Sequence, residues 1–102
     1  MNAYRPIDVV QAIPAQDELF LLSEAGKGDA GVIVRVGAGH GDSHRSELER
    51  RLLEMGFVEG AHVRVLHEGF IGRDPIAVQL DDMRVALRRR EARDILLRKL
   101  DR

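Results

Sequence analysis

The spacing of apolar residues changes several times along this chain, and each change marks an element. Val32, Val34 and Val36 alternate with Ile33 and Arg35, which predicts a half-buried strand with β-branched residues on one face. Leu48, Leu52 and Met55 fall at i, i+4 and i+7, one stripe of a helix. Val63 and Val65 alternate with His62 and Arg64, a second strand. Ile76, Val78 and Leu80 precede Asp81-Asp82, and Met83, Val85 and Leu87 follow it. A two-residue turn at Asp81-Asp82 pairs Leu80 with Met83, Val78 with Val85, and Ile76 with Leu87. Every cross-strand pair on that face is then apolar, so the register is self-consistent.

Polar and turn-forming residues punctuate these runs. Ser46 and Glu49 have the spacing of a capping box, and Gly56 suits the left-handed residue just past a helix end, so a helix is expected from Glu47 to Met55. Glu47 and Arg51 form a favourable i, i+4 pair on it. Ser23 to Gly31 is turn-forming, Gly37 to Asp42 reads as a flexible loop, and Glu68 to Pro75 reads as a loop with Gly69, Gly72 and Pro75. The Gly37 loop lacks the Lys-Ser/Thr ending of a phosphate loop. Ala92, Ile95, Leu96 and Leu100 fit a helix, while Ile95 to Leu97 fits a short closing strand equally well. Residues 1–18, with Pro6 and Pro14, read as an N-terminal extension, and 19–102 as the folded domain. Short strands, one helix and turn-rich loops predict a mainly β fold, a small barrel whose closure protects its sheet edges.

Composition narrows the function. A chain of 102 residues is one domain, with no room for a separate catalytic unit. It has no cysteine, which removes disulfides and thiolate chemistry. No apolar run approaches the ~18 residues of a membrane span and no signal peptide is read, so a soluble, intracellular protein is expected. Net charge is −1, yet residues 84–102 hold eight Lys/Arg against three Asp/Glu, and the remainder is acidic. That balance argues against nucleic-acid binding by the whole domain. One tyrosine and three phenylalanines are too few for a base-stacking platform or a polyproline groove.

Four ordered motifs carry a resemblance. Leu22-Ser23-Glu24 with Gly28-Asp29 and Ile33 opens it. Arg51-Leu52-Leu53-Glu54-Met55-Gly56-Phe57 with Gly60 comes second, then Gly72 with Asp74-Pro75-Ile76. Ala86-Leu87-Arg88-Arg89 with Glu91-Ala92 and Ile95 closes it. Together these resemble the FeoA family of ferrous iron transport accessory proteins, from Leu22 to about Leu97. Glu59 stands where the family usually has proline, and Arg73 is inserted between Gly72 and Asp74. The resemblance implies an SH3-like barrel, with Ile95 to Leu97 as a strand and a single helical turn near Arg89 to Ala92. It also implies a cytoplasmic module without cofactor or enzymatic activity. Such a module docks on FeoB, the ferrous iron permease with a cytoplasmic GTPase domain. The same domain type resembles the C-terminal barrels of metal-dependent repressors, so direct metal sensing is the alternative expectation.

The candidate partner-binding residues are apolar and basic. Leu52 and Leu53 point about 100° apart on a helix, so Leu52, Leu53, Met55 and Phe57 cannot all face one small core. Either part of this group forms an exposed patch for partner binding or self-association, or the barrel and the N-terminal extension bury it. Arg88 and Arg89, with Arg90 and Arg93, form a basic patch suited to an acidic surface. Glu91 and Asp94 are interleaved with them, as on an ordinary solvated face. His40 and His44 have a metal-ligand spacing on a helix, but a helix starting at Ser46 leaves both in a loop, so no metal site is assigned. His62 and His67 are expected to point outward. Ser43 and Ser46 lack an organised base, and Asp81-Asp82 occupy a turn, so no catalytic group is assigned.

Overall fold

In a computed structural model the described residues are 18–37 and 43–100. Six strands form one antiparallel sheet: β1 (Leu19–Leu21), β2 (Ala30–Val36), β3 (His62–Ile71), β4 (Asp74–Leu80), β5 (Met83–Leu87) and β6 (Ile95–Lys99). Their order is β1-β6-β2-β3-β4-β5. A 3-10 turn, Leu22–Glu24, follows β1, the main helix α1 spans Ser43–Met55, and a single-turn helix α2 spans Arg89–Ala92. Among the described residues no helix is long and apolar enough to cross a membrane.

The β4–β5 hairpin has the expected register, with Leu80 opposite Met83, Val78 opposite Val85 and Ile76 opposite Leu87. Ile76, Val78 and Leu80 are fully buried and form part of the core with Val63, Val65 and Ile95. The C-terminal ambiguity resolves to a strand at Ile95–Lys99 that pairs with both β1 and β2.

Three local expectations change. Ile33, not its valine neighbours, points into the core from β2, and the valines stay partly buried. A register shift between Ile33 and Arg35 then breaks the alternation, so Val36 packs against the core and Arg35 faces out. The helix begins at Ser43, so Ser46 is a helical residue and not the cap, and His44 is helical as well. His40 lies outside the described residues. Finally, the segment from Glu68 to Pro75 is a hairpin, not a loop. β3 runs on to Ile71, and the two turn residues Gly72 and Arg73 have φ of 66° and 60°. Two successive positive φ values match the right-handed twist of the flanking strands. Gly69 fits beneath this turn because a side chain there would strike the backbone carbonyl of Asp74.

Candidate docking surface

The end of α1 decides which apolar residues are available to a partner. Gly56 has φ of 110°, its N–H donates to the Leu53 carbonyl at 3.0 Å, and the Phe57 N–H donates to the Leu52 carbonyl at 3.0 Å. This pair of bonds is a Schellman ending, which brings the residue after the glycine back over the last helical turn. Leu52 and Phe57 thereby both enter the core, at 2% and 0% exposure. The candidate group therefore separates: Leu52 and Phe57 are core, Met55 is partly buried against it, and Leu53 is 43% exposed. Val58 and Met83 are also exposed. The Met83 Cε approaches within 3.3 Å of the Cβ position of Gly56, so the start of β5 adjoins the helix end.

The two candidate arginines separate in the same way. Arg88 is exposed, and its N–H donates to Glu91 Oε1 at 2.9 Å as the cap of α2. Arg89 turns inward, with its side chain 16% exposed. Its Nη1 donates to the carbonyls of Ser23 and Ala25, both at 2.8 Å, and its Nε donates to the Arg73 carbonyl at 2.7 Å. Its backbone N–H donates to Asp74 Oδ1 at 2.8 Å. The guanidinium thus ties the 3-10 turn to the β3–β4 turn, which its planar fork of donors suits. Its Nη2 is buried without a hydrogen bond and lies 3.8 Å from Glu68 Oε1.

Glu68 completes this brace. Its Oε1 accepts from Arg73 Nε at 2.9 Å and its Oε2 accepts from the Lys27 N–H at 2.6 Å. The Arg73 hydrogen bond, then the Lys27 N–H and the charges of Arg73 and Arg89, hold its carboxyl below the usual carboxylate range. Arg89, a contact candidate by its place in the basic run, is instead an internal strut. No local pattern marks it, since Ser23 and Ala25 lie 66 and 64 residues away in sequence.

The remaining chemistry is sparse. His62 and His67 are exposed, as expected, and the His62 N–H donates to Asp81 Oδ1 at 3.0 Å. A cleft of about 340 Å³ beside Phe20 and Gly28 is lined by charges of both signs, Glu24 and Asp29 with Arg64 and Lys99. Among the described residues no group of three or more His, Cys, Asp or Glu is placed to hold a metal ion.

The sequence profile of the FeoA domain matches residues 20–99. An Fe(2+) transport protein A/FeoB fusion protein of Porphyromonas gingivalis is 40% identical over 74 residues, 72% of this chain. The chain spans only 8% of that relative's length. Among solved structures, an iron uptake regulatory protein (FeoA) is 30% identical, with 80% of this chain and 99% of that one covered and a TM-score of 0.66. FeoA of Stenotrophomonas maltophilia, solved with zinc and described as a prokaryotic SH3 domain protein, is 35% identical. It covers 76% of this chain and 88% of its own, with a TM-score of 0.64. A manganese-dependent transcriptional repressor shares the fold at 22% identity and a TM-score of 0.67, over 86% of this chain and 49% of its own. The mainly β architecture with one principal helix is that of these SH3-like relatives. With the profile extending from β1 to the end of β6, this chain belongs to the FeoA family.

Proposed function

We propose that this chain is a cytoplasmic accessory module of ferrous iron uptake that docks on the GTPase domain of a FeoB-type permease. The observation that carries this reading is the relative in which FeoA and FeoB form one polypeptide. Covalent linkage keeps two domains at high effective concentration, an arrangement useful to domains that act on one another.

The docking face in this reading is the end of α1. Leu53 and the partly buried Met55 supply apolar contact together with Val58 and Met83. Arg88, at the other end of β5 from Met83, supplies a positive charge beside this face, which chiefly raises the rate of encounter with an acidic surface. Leu52 and Phe57 hold this face from within, and Arg89 holds the opposite turn. The module modulates transport and performs no chemistry of its own.

Ferrous iron uptake by cells carrying this chain and its permease tests the role. Deleting the chain is expected to change the uptake rate. Restoring it is expected to reverse the change, and a Leu53→Asp chain is expected not to. Uptake indifferent to the deletion would end this reading.

Metal sensing is the second reading, and the zinc complex of the Stenotrophomonas maltophilia relative supports it. Ferrous or zinc binding tighter than micromolar, lost on replacing His40 and His44, would favour it over docking.

A further inference from the structure

The sheet keeps two edges. Its strand order ends in β1 and β5, which pair on one side only, with β6 and β4 respectively. β1 is three residues long, and shortness itself protects an edge. β5 is five residues long, Met83–Leu87.

Backbone geometry decides what the β5 edge offers. The two-residue turn makes Leu80 and Met83 a hydrogen-bonded pair, so Met83, Val85 and Leu87 direct their N–H and C=O groups at β4. Arg84 and Ala86 direct theirs away from it. Among the described residues none of these outward groups has a backbone partner, and both side chains are exposed.

Opposite charges flank this edge. Asp82 precedes β5 in the turn and Arg88 follows it, and both are exposed. Neither forms an ion pair among the described residues. Side chains alternate along a strand, so Asp82, Arg84, Ala86 and Arg88 share one face.

We propose that β5 pairs with β5 of a second copy of this chain, antiparallel about a two-fold axis at Val85. In that register Arg84 lies opposite Ala86 of the second copy, Met83 opposite Leu87, and Asp82 opposite Arg88, and the axis repeats each contact. Each Arg84–Ala86 pair exchanges both backbone hydrogen bonds. Opposite charges directly across a strand pair stabilise it, and like charges destabilise it. Neighbouring registers fail on that ground. An axis at Arg84 sets Arg84 against Arg84, and an axis at Ala86 sets Arg84 against Arg88. An axis between two residues sets the outward groups against groups already bonded to β4. This self-complementarity of Asp82 to Arg88 is what favours a second copy over an unrelated strand. The inference is independent of the docking reading above.

The contact is small. A typical stable interface covers about 800 Å² on each partner, more than a five-residue edge supplies, so the dimer is weak and concentration-dependent.

Sedimentation equilibrium of the full chain from about 10 µM to about 1 mM tests it. Wild type is expected to move from monomer towards dimer mass over this range. Asp82→Arg sets arginine against Arg88 on both sides of the axis and is expected to weaken association about tenfold. Asp82→Arg/Arg88→Asp exchanges the charges and is expected to restore most of it. Ala86→Pro removes an outward N–H and leaves the bonds to β4 in place, so a folded monomer is expected. Wild type that stays monomeric throughout would overturn the inference. So would association that Asp82→Arg leaves unchanged, or that the exchanged pair fails to restore while circular dichroism shows both variants folded.

Discussion

Replacing Arg89 by methionine tests the strut directly. Methionine keeps an unbranched apolar stem, so the packing of the aliphatic part is largely preserved while the guanidinium is lost. The change removes three hydrogen bonds from a charged donor, to the carbonyls of Ser23, Ala25 and Arg73. Bonds involving a charged group contribute roughly 1.5–3 kcal/mol each. Two of the three share one nitrogen, which lowers their sum. Returning the unbonded Nη2 to water in the wild-type unfolded chain offsets a further part, because that group is desolvated without a hydrogen bond only in the folded state. The net loss is about 3 kcal/mol, at the lower end of the cost of removing one partner from a buried charged network. For a domain of this size that lowers the melting temperature by about 12–24 °C. Urea unfolding and a thermal scan measure it. Arg89→Lys retains the charge but not the planar fork, and is expected to recover less than half of the loss. If Arg89→Met unfolds within about 0.5 kcal/mol of wild type, the range of an ordinary surface substitution, the strut is refuted.

Three further substitutions probe the same geometry. Leu52→Ala is expected to cost about 2–5 kcal/mol and Leu53→Ala less than about 1, read from urea midpoints, although the two residues are adjacent. Gly69→Ala places a methyl group against the Asp74 carbonyl, so backbone must move, and a loss of about 1–3 kcal/mol is expected in the same assay. Glu68→Gln probes pH dependence. The depressed Glu68 carboxyl binds fewer protons in the folded state, so its contribution is complete above the ordinary value of 4.5 and is lost as pH falls through the folded value. The stability gap between wild type and Glu68→Gln should be constant near neutrality and close in acid. A gap that widens in acid would contradict the sign.

The parts of this fold legible in the sequence are those with local causes. The β4–β5 register arises from strict alternation around a two-residue turn, and the apolar pairs left no competing alignment. The end of α1 was legible only as a stop at Gly56, and which of Leu52, Leu53, Met55 and Phe57 stays outside was left open. With Gly56 past the helix end, a Schellman ending couples Leu52 to Phe57 and leaves Leu53 outside. The Ser46 capping box misplaced the start of the helix because such a pattern also occurs inside a helix that begins earlier. Gly69, Gly72 and Pro75 looked like loop breakers. Two of them serve a tight hairpin instead, one by close backbone approach and one by positive φ. Arg89 was not legible as a strut, because two of its acceptors, Ser23 and Ala25, come from the far end of the chain and only the tertiary fold brings them to it.

The measurement closest to the central claim is a binding isotherm of the full chain on its permease in lipid nanodiscs, with and without guanine nucleotide. The account predicts saturable binding that Leu53→Asp weakens by at least about tenfold without lowering the melting temperature. Absence of binding in every nucleotide state, or binding that Leu53→Asp leaves unchanged, would contradict it.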